Sequence, residues 1–73
     1  MSLPEVPLRK TVVVQSVEGD RGFRRRIMEM GLVPGTSVRV VATAPLGDPI
    51  TIELRASRMS LRRAEASHVH VRV

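Results

Sequence analysis

The residues with the clearest potential for chemistry are the arginines that follow Asp20. Guanidinium groups bind carboxylates and phosphates through paired hydrogen bonds, so the run Arg24-Arg25-Arg26 is a candidate recognition patch, and Arg21 lies on the same outward side as Arg24 and Arg25. On a helix that turns about 100° per residue, Met28 falls among these arginines, and an exposed methionine in that setting indicates a binding surface. The alternative interpretation, a solvated helix face without a partner, is left open.

A second candidate is the tip of a proline-bounded loop, where Leu46, Gly47 and Asp48 lie between Pro45 and Pro49. An exposed Leu46 would offer an apolar anchor to another protein. The equally weighted alternative is that this leucine folds back as a plug over the open end of a small barrel. Asp48 is interpreted as a turn residue and not as an acid catalyst.

Catalytic and metal-binding patterns are weak. His68 and His70 are two positions apart on a predicted strand and could share a metal, but two ligands are too few for a strong site, so surface histidines are favoured. The chain has no cysteine, which excludes disulfides, thiolate zinc sites and a cysteine nucleophile. Residues 19–22 lack the phosphate-binding glycine spacings and are interpreted as a turn and helix cap. We predict no enzyme activity, no cofactor and no metal site.

Composition limits the classes of function further. A chain of 73 residues has room for one domain with a small core, which disfavours a deep substrate cavity. Twelve basic against seven acidic residues give a net charge of +5, which favours an acidic or phosphate-bearing neighbour. No apolar run has signal-peptide length or approaches the roughly 20 residues that cross a bilayer, so we expect a cytoplasmic protein without membrane insertion.

The elements that must position these residues begin with a β-branched strand, 11–17. A helix follows, with Asp20 as its N-cap and Gly31 as the left-handed residue that ends it. Pro34-Gly35 then predicts a turn. The helix spacing predicts a buried face made of Phe23, Ile27 and Met30.

The remaining elements are short. Strands 37–43 and 50–55 form a predicted hairpin around the loop, followed by a strand at 59–61, a single helical turn at 62–66 and a last strand at 68–73. Five short strands retain a stable core only if few edges stay open, which favours closure. We therefore predict a mainly β fold, a small SH3-like barrel of about five strands with one short α-helix between strands 1 and 2; a partly open sandwich is the alternative.

Three blocks of the sequence, residues 22–36, 44–50 and 61–66, resemble the ferrous-iron transport protein A family and occur in the family's order. The resemblance runs from about residue 12 to residue 73. It accordingly places an SH3-like domain at 11–73, after a lead-in segment at 1–10. That lead-in departs from the family pattern because it has prolines and no turn glycine, so we expect a different path into the barrel.

The resemblance implies a cytoplasmic, non-catalytic protein that associates with the membrane ferrous-iron transporter and its cytosolic GTPase domain. Regulation of assembly and regulation of the nucleotide cycle are both open. Our leading hypothesis is an accessory protein that docks on this transporter through the arginine-rich helix face and the 45–49 loop. The alternatives are a small basic nucleic-acid-binding barrel, weakened by a single aromatic residue, and a detached SH3-like domain of an iron-dependent repressor. Self-association through the same apolar side chains is also open.

Overall fold

The computed structural model describes residues 1–73 and contains five strands and two α-helices. The strands are β1 (Val12–Val17), β2 (Ser37–Thr43), β3 (Ile50–Leu54), β4 (Ser57–Leu61) and β5 (Val69–Arg72). The helices are α1 (Arg21–Glu29) and α2 (Arg63–Ala66), and a single 3-10 turn precedes β1 at Leu3–Glu5. Their order along the chain is β1, α1, β2, β3, β4, α2, β5. The predicted mainly β architecture with a short helix between the first two strands is confirmed. The predicted fourth strand was too short at its start, and the predicted last strand was too long at both ends.

All neighbouring strands are antiparallel, in the order β4-β3-β2-β1-β5. The register shifts between Val14 and Ser16 of β1 and between Val40 and Ala42 of β2. Such irregularities bend a strand and increase its twist, which lets five short strands curve around one core. The outer strands β4 and β5 each have one neighbour, and α2 connects them along the chain.

The core consists of sixteen buried apolar side chains contributed by every strand, both α-helices and the segment before β1. In β3 the alternation is regular, so Ile50, Ile52 and Leu54 all point inward. In β1 the irregularity changes the phase, and the buried set is Val12, Val14 and Val17. Aliphatic packing therefore supplies the stability of this cysteine-free chain.

Helix α1 begins and ends where the sequence predicts. The Asp20 carboxylate accepts a hydrogen bond of 2.9 Å from the backbone N–H of Phe23, which satisfies one free donor of the first turn. At the other end Gly31 has a φ of +106°, a left-handed conformation that few other residues adopt. Ile27 is fully buried, while Phe23 and Met30 are partly buried against the core, as predicted.

The first ten residues pack onto the same core. Leu3, the first residue of the 3-10 turn, and Val6, which directly follows the turn, are both buried. The backbone N–H of Val71 donates to the Met1 carbonyl over 2.8 Å, and that of Arg9 donates to the Val40 carbonyl over 2.7 Å. The segment thus runs against β5 and β2 instead of projecting from the domain.

Candidate partner-binding surface

The outward face of α1 carries an arginine stripe, defined as Arg21, Arg24, Arg25 and Met28. All four side chains are exposed, and the exposed fraction of Met28 is 36%. The ion pairs of the arginines in this structure involve Arg26, Arg39 and Arg58, so the three arginines of the stripe are not engaged by a carboxylate of their own chain. The stripe presents guanidinium donors and one apolar side chain to the solvent.

Arg26, on the next face of the helix, has an internal role. Its Nη2 atom lies 2.8 Å from Oε2 of Glu65, and its guanidinium carbon lies 5.6 Å from the centre of the Phe23 ring. Glu65 also accepts a hydrogen bond from the backbone N–H of Arg62 at the start of α2. Arg26 therefore connects α1 to α2, and its predicted place in the recognition patch was wrong because its guanidinium group is already bound to Glu65.

The second candidate is the tip loop, defined as residues 44–49, between β2 and β3. Leu46 is 96% exposed, which decides between the two interpretations of this leucine in favour of a tip and against a plug. Two backbone hydrogen bonds shape the loop, from the Gly47 N–H to the Ala44 carbonyl over 2.7 Å and from the Ala44 N–H to the Pro49 carbonyl over 3.0 Å. The tip loop thus presents a large apolar side chain to the solvent, where it is available to a partner protein.

Arg63 joins the tip loop to α2. Its backbone N–H donates to Oδ1 of Asp48 over 2.9 Å, and its Nε donates to the Gly47 carbonyl over 2.9 Å. Asp48 is therefore a structural residue of the loop, in agreement with its interpretation as a turn residue. Sequence reasoning missed Arg63, because the fifteen-residue separation from Asp48 leaves no local signal of the contact.

The structure relates the two candidate parts through α2. Arg63 contacts the tip loop at one end of this helix, Glu65 binds Arg26 of α1, and the ring of His68 meets the ring of Phe23 edge-on with centroids 5.3 Å apart. An open cleft lies between the start of α1 and α2 and is lined by Gly19, Asp20, Phe23, Ala64, Glu65 and His68. The tip loop, α2 and α1 thus follow one another across the domain. No hydrogen bond or ion pair joins the tip loop directly to the arginine stripe.

The two histidines have separate surroundings. His70 is half-buried, with Nε2 2.6 Å from Oε1 of Glu18, whereas His68 precedes β5 and packs against Phe23. No group of three or more His, Cys, Asp or Glu side chains is arranged to hold a metal ion. Nor does any helix combine the length and apolar character that a membrane crossing requires.

Comparison with known proteins identifies the family. The family model of the FeoA domain matches residues 1–73, the whole chain. This chain belongs to the FeoA domain family. The match includes the first ten residues, of which Leu3 and Val6 belong to the buried core.

Relatives of this FeoA domain occur both alone and within a larger protein. It is 41% identical over 71 residues to an Fe(2+) transport protein A/Fe(2+) transporter FeoB fusion protein of Porphyromonas gingivalis, covering 97% of this chain but only 8% of that protein. The FeoA-like protein of Clostridium acetobutylicum has a similar structure, with a TM-score of 0.89, 40% identity and coverage of 100% of this chain and 85% of the other.

A third relative is the zinc complex of FeoA from Stenotrophomonas maltophilia, described as an SH3 domain protein. Its TM-score is 0.84 and its identity 39%, with 97% of this chain and 88% of the other covered. The predicted SH3-like fold class of this FeoA domain is therefore confirmed.

Proposed function

We propose that this FeoA-domain chain is a non-enzymatic accessory protein of ferrous iron uptake in the cytoplasm. It docks on the cytosolic GTPase region of the membrane ferrous-iron transporter and modulates the activity or assembly of that transporter. The observation that carries the proposal is the Porphyromonas gingivalis relative, in which the same domain shares a chain with an Fe(2+) transporter. A covalent link holds two domains at high effective concentration, so a separate chain needs surface contacts to achieve the same association.

The arginine stripe and the tip loop are suited to supply those contacts in different ways. The arginines attract acidic side chains over several ångströms and accelerate the encounter, an effect that salt screens. Met28 and Leu46 add exposed apolar surface, and its removal from water by a partner makes the free energy of binding more favourable. Because no ion pair within the chain involves the arginines of the stripe, their guanidinium groups are available to a partner.

The size of the domain is compatible with one continuous footprint. A stable interface covers about 800 Å² on each partner, which is about a sixth of the 4617 Å² surface of this chain. Because the tip loop, α2 and α1 follow one another across the domain, a footprint of that size centred on α2 could include both candidate parts. The docking surface in this proposal consists of Arg21, Arg24, Arg25, Met28, Leu46, Gly47 and Asp48.

The test is the affinity of the purified chain for the cytosolic region of its host's ferrous-iron transporter, at moderate salt, with and without guanine nucleotide. The test variant replaces Met28 and Arg25 by aspartate. The matched control replaces Leu8 and Lys10, an exposed apolar and an exposed basic residue of the first segment, by aspartate as well. Both double variants change the charge equally, so a difference between them reports on position.

We expect wild type and the control to bind, and the affinity of the Met28/Arg25 variant to fall at least about tenfold. The circular dichroism spectrum of this variant should match that of wild type, and cells that carry the variant should take up less iron than cells that carry the wild type. Nucleotide dependence of wild-type binding would support regulation of the GTPase cycle. Wild-type affinity in the Met28/Arg25 variant would exclude the arginine stripe, and absence of wild-type binding in every nucleotide state would overturn the proposal.

A further inference from the structure

We infer that Arg63 is a positioning residue that holds the tip loop in the shape required for docking, and that Leu46 is the anchor which enters an apolar pocket of the partner protein. This inference rests on the proposed function for the identity of the partner. It adds a residue that supports docking without contacting the partner, and it assigns the principal apolar contact to Leu46 of the tip loop, with Met28 of the helix contributing less.

The exposure of Leu46 is the first observation. At 96% it is the most exposed of the large apolar residues, well above Val73 at 73% and Met28 at 36%. Burial of a fully exposed leucine in a pocket removes the most apolar area from water that any single side chain of this surface can contribute. Interfaces concentrate their binding free energy in a few such well-packed central side chains.

The second observation is that the loop is held on both sides of its tip. Backbone hydrogen bonds connect Gly47 to Ala44 and Ala44 to Pro49, and two hydrogen bonds from Arg63 hold the residues that follow Leu46. The guanidinium of Arg63 reaches a loop carbonyl across 16 positions of sequence and so connects the loop to α2. A loop ordered in advance loses less conformational entropy on binding, which raises affinity without any new contact.

The neighbouring arginine provides a control within the same helix cap. Arg62 is exposed and its side chain donates no hydrogen bond to the loop, although it lies beside Asp48 and Pro49. Arg62→Ala therefore removes one positive charge next to the loop and leaves the bond from Arg63 to Gly47 in place. Arg63→Ala removes an equal positive charge together with the hydrogen bond to the Gly47 carbonyl. Arg63→Lys keeps the positive charge and one donor group.

The first measurement follows the backbone dynamics of the free chain by nitrogen-15 relaxation. In wild type and in Arg62→Ala we expect the amides of Leu46 and Gly47 to be ordered, with order parameters of about 0.85. In Arg63→Ala we expect values that fall toward about 0.6, with partial recovery in Arg63→Lys. Unchanged order in Arg63→Ala would overturn the positioning role.

The second measurement is the affinity of the same variants for the transporter's cytosolic region at low and at high salt. We expect Leu46→Ala to weaken binding about 30-fold and Arg63→Ala about threefold to tenfold, with Arg62→Ala close to wild type at high salt. The loss in Arg63→Ala should persist at high salt, because loop order is not screened as a charge contact is. A loss that disappears with salt would make Arg63 a steering charge and overturn the inference.

The two measurements separate this inference from the proposed function. If wild type does not bind the transporter region, the proposed function and the anchor role fail together, and the relaxation data alone decide whether Arg63 orders the loop. If wild type binds, and Leu46→Ala and Arg63→Ala bind with the affinity of wild type, the proposed function stands and the tip loop is excluded as the anchor.

Discussion

Replacement of Gly31 by alanine should destabilise the domain more than the same replacement at Gly35, although both glycines have left-handed backbones. The φ angles are +106° and +94°, so alanine meets backbone strain at either position. That strain costs about 1–2 kcal/mol, and alanine recovers about 0.4–1 kcal/mol by restricting the unfolded chain. The net loss of unfolding free energy from the backbone is therefore about 1 kcal/mol at each site.

The two positions differ in what an added methyl group would touch. At Gly35 no atom lies within 4 Å of the new Cβ, whereas at Gly31 the Cδ1 of Leu54 lies at 3.0 Å. Leu54 is buried in the core and its side chain has to shift, which we expect to add about 1 kcal/mol. Gly31→Ala should thus lower the unfolding free energy by about 2 kcal/mol, and its Tm by about 8–16 °C for a domain of this size.

The assay is urea and thermal unfolding followed by far-ultraviolet circular dichroism, because the chain has no tryptophan or tyrosine for fluorescence. Gly35→Ala is the matched control for backbone strain without contact. The reasoning is refuted if Gly31→Ala is as stable as wild type, or if Gly35→Ala is the more destabilised of the two. Equal losses would show that Leu54 adjusts without cost.

Two further predictions concern the core and pH. Ile27→Ala should lower the free energy of unfolding by about 3 kcal/mol, because Ile27 is fully buried. Met28→Ala, on the exposed side of α1, should change it by less than about 0.5 kcal/mol. Similar losses for the two variants in urea unfolding would contradict the assignment of Ile27 to the buried face and Met28 to the exposed face. Hydrogen bonds from Arg39 and then Arg58 lower the pKa of Glu53 below its ordinary 4.5, so Glu53 stabilises the fold above that pH and loses this contribution as pH falls through the lowered pKa. The Tm difference between wild type and Glu53→Gln should therefore shrink from pH 7 to pH 3, and a difference that stays constant would contradict the assignment.

Much of the fold follows from local patterns. The cap at Asp20, the left-handed Gly31 and the buried face of α1 are all read correctly, because each depends on residues within one or two helical turns. The regular alternation of β3 likewise predicts its buried side chains. The exposure of the arginine stripe follows from the same helical period.

Properties that depend on distant contacts required the structure. The sequence left Leu46 undecided between tip and plug, and it gave Arg26 no partner, since Glu65 lies 39 positions away. It also contained no sign that Arg63 would hold the tip loop or that Leu3 would join the core.

The element types, the outward position of the arginines and the family of this chain all follow from its amino-acid sequence. Which arginines are free to bind a partner, and which hold a helix or the tip loop in place, is visible only in the folded chain. Local conformational preference is encoded within a few residues, whereas the hydrogen-bond partner of a long surface side chain depends on which distant segments the curved sheet and its buried core bring beside it.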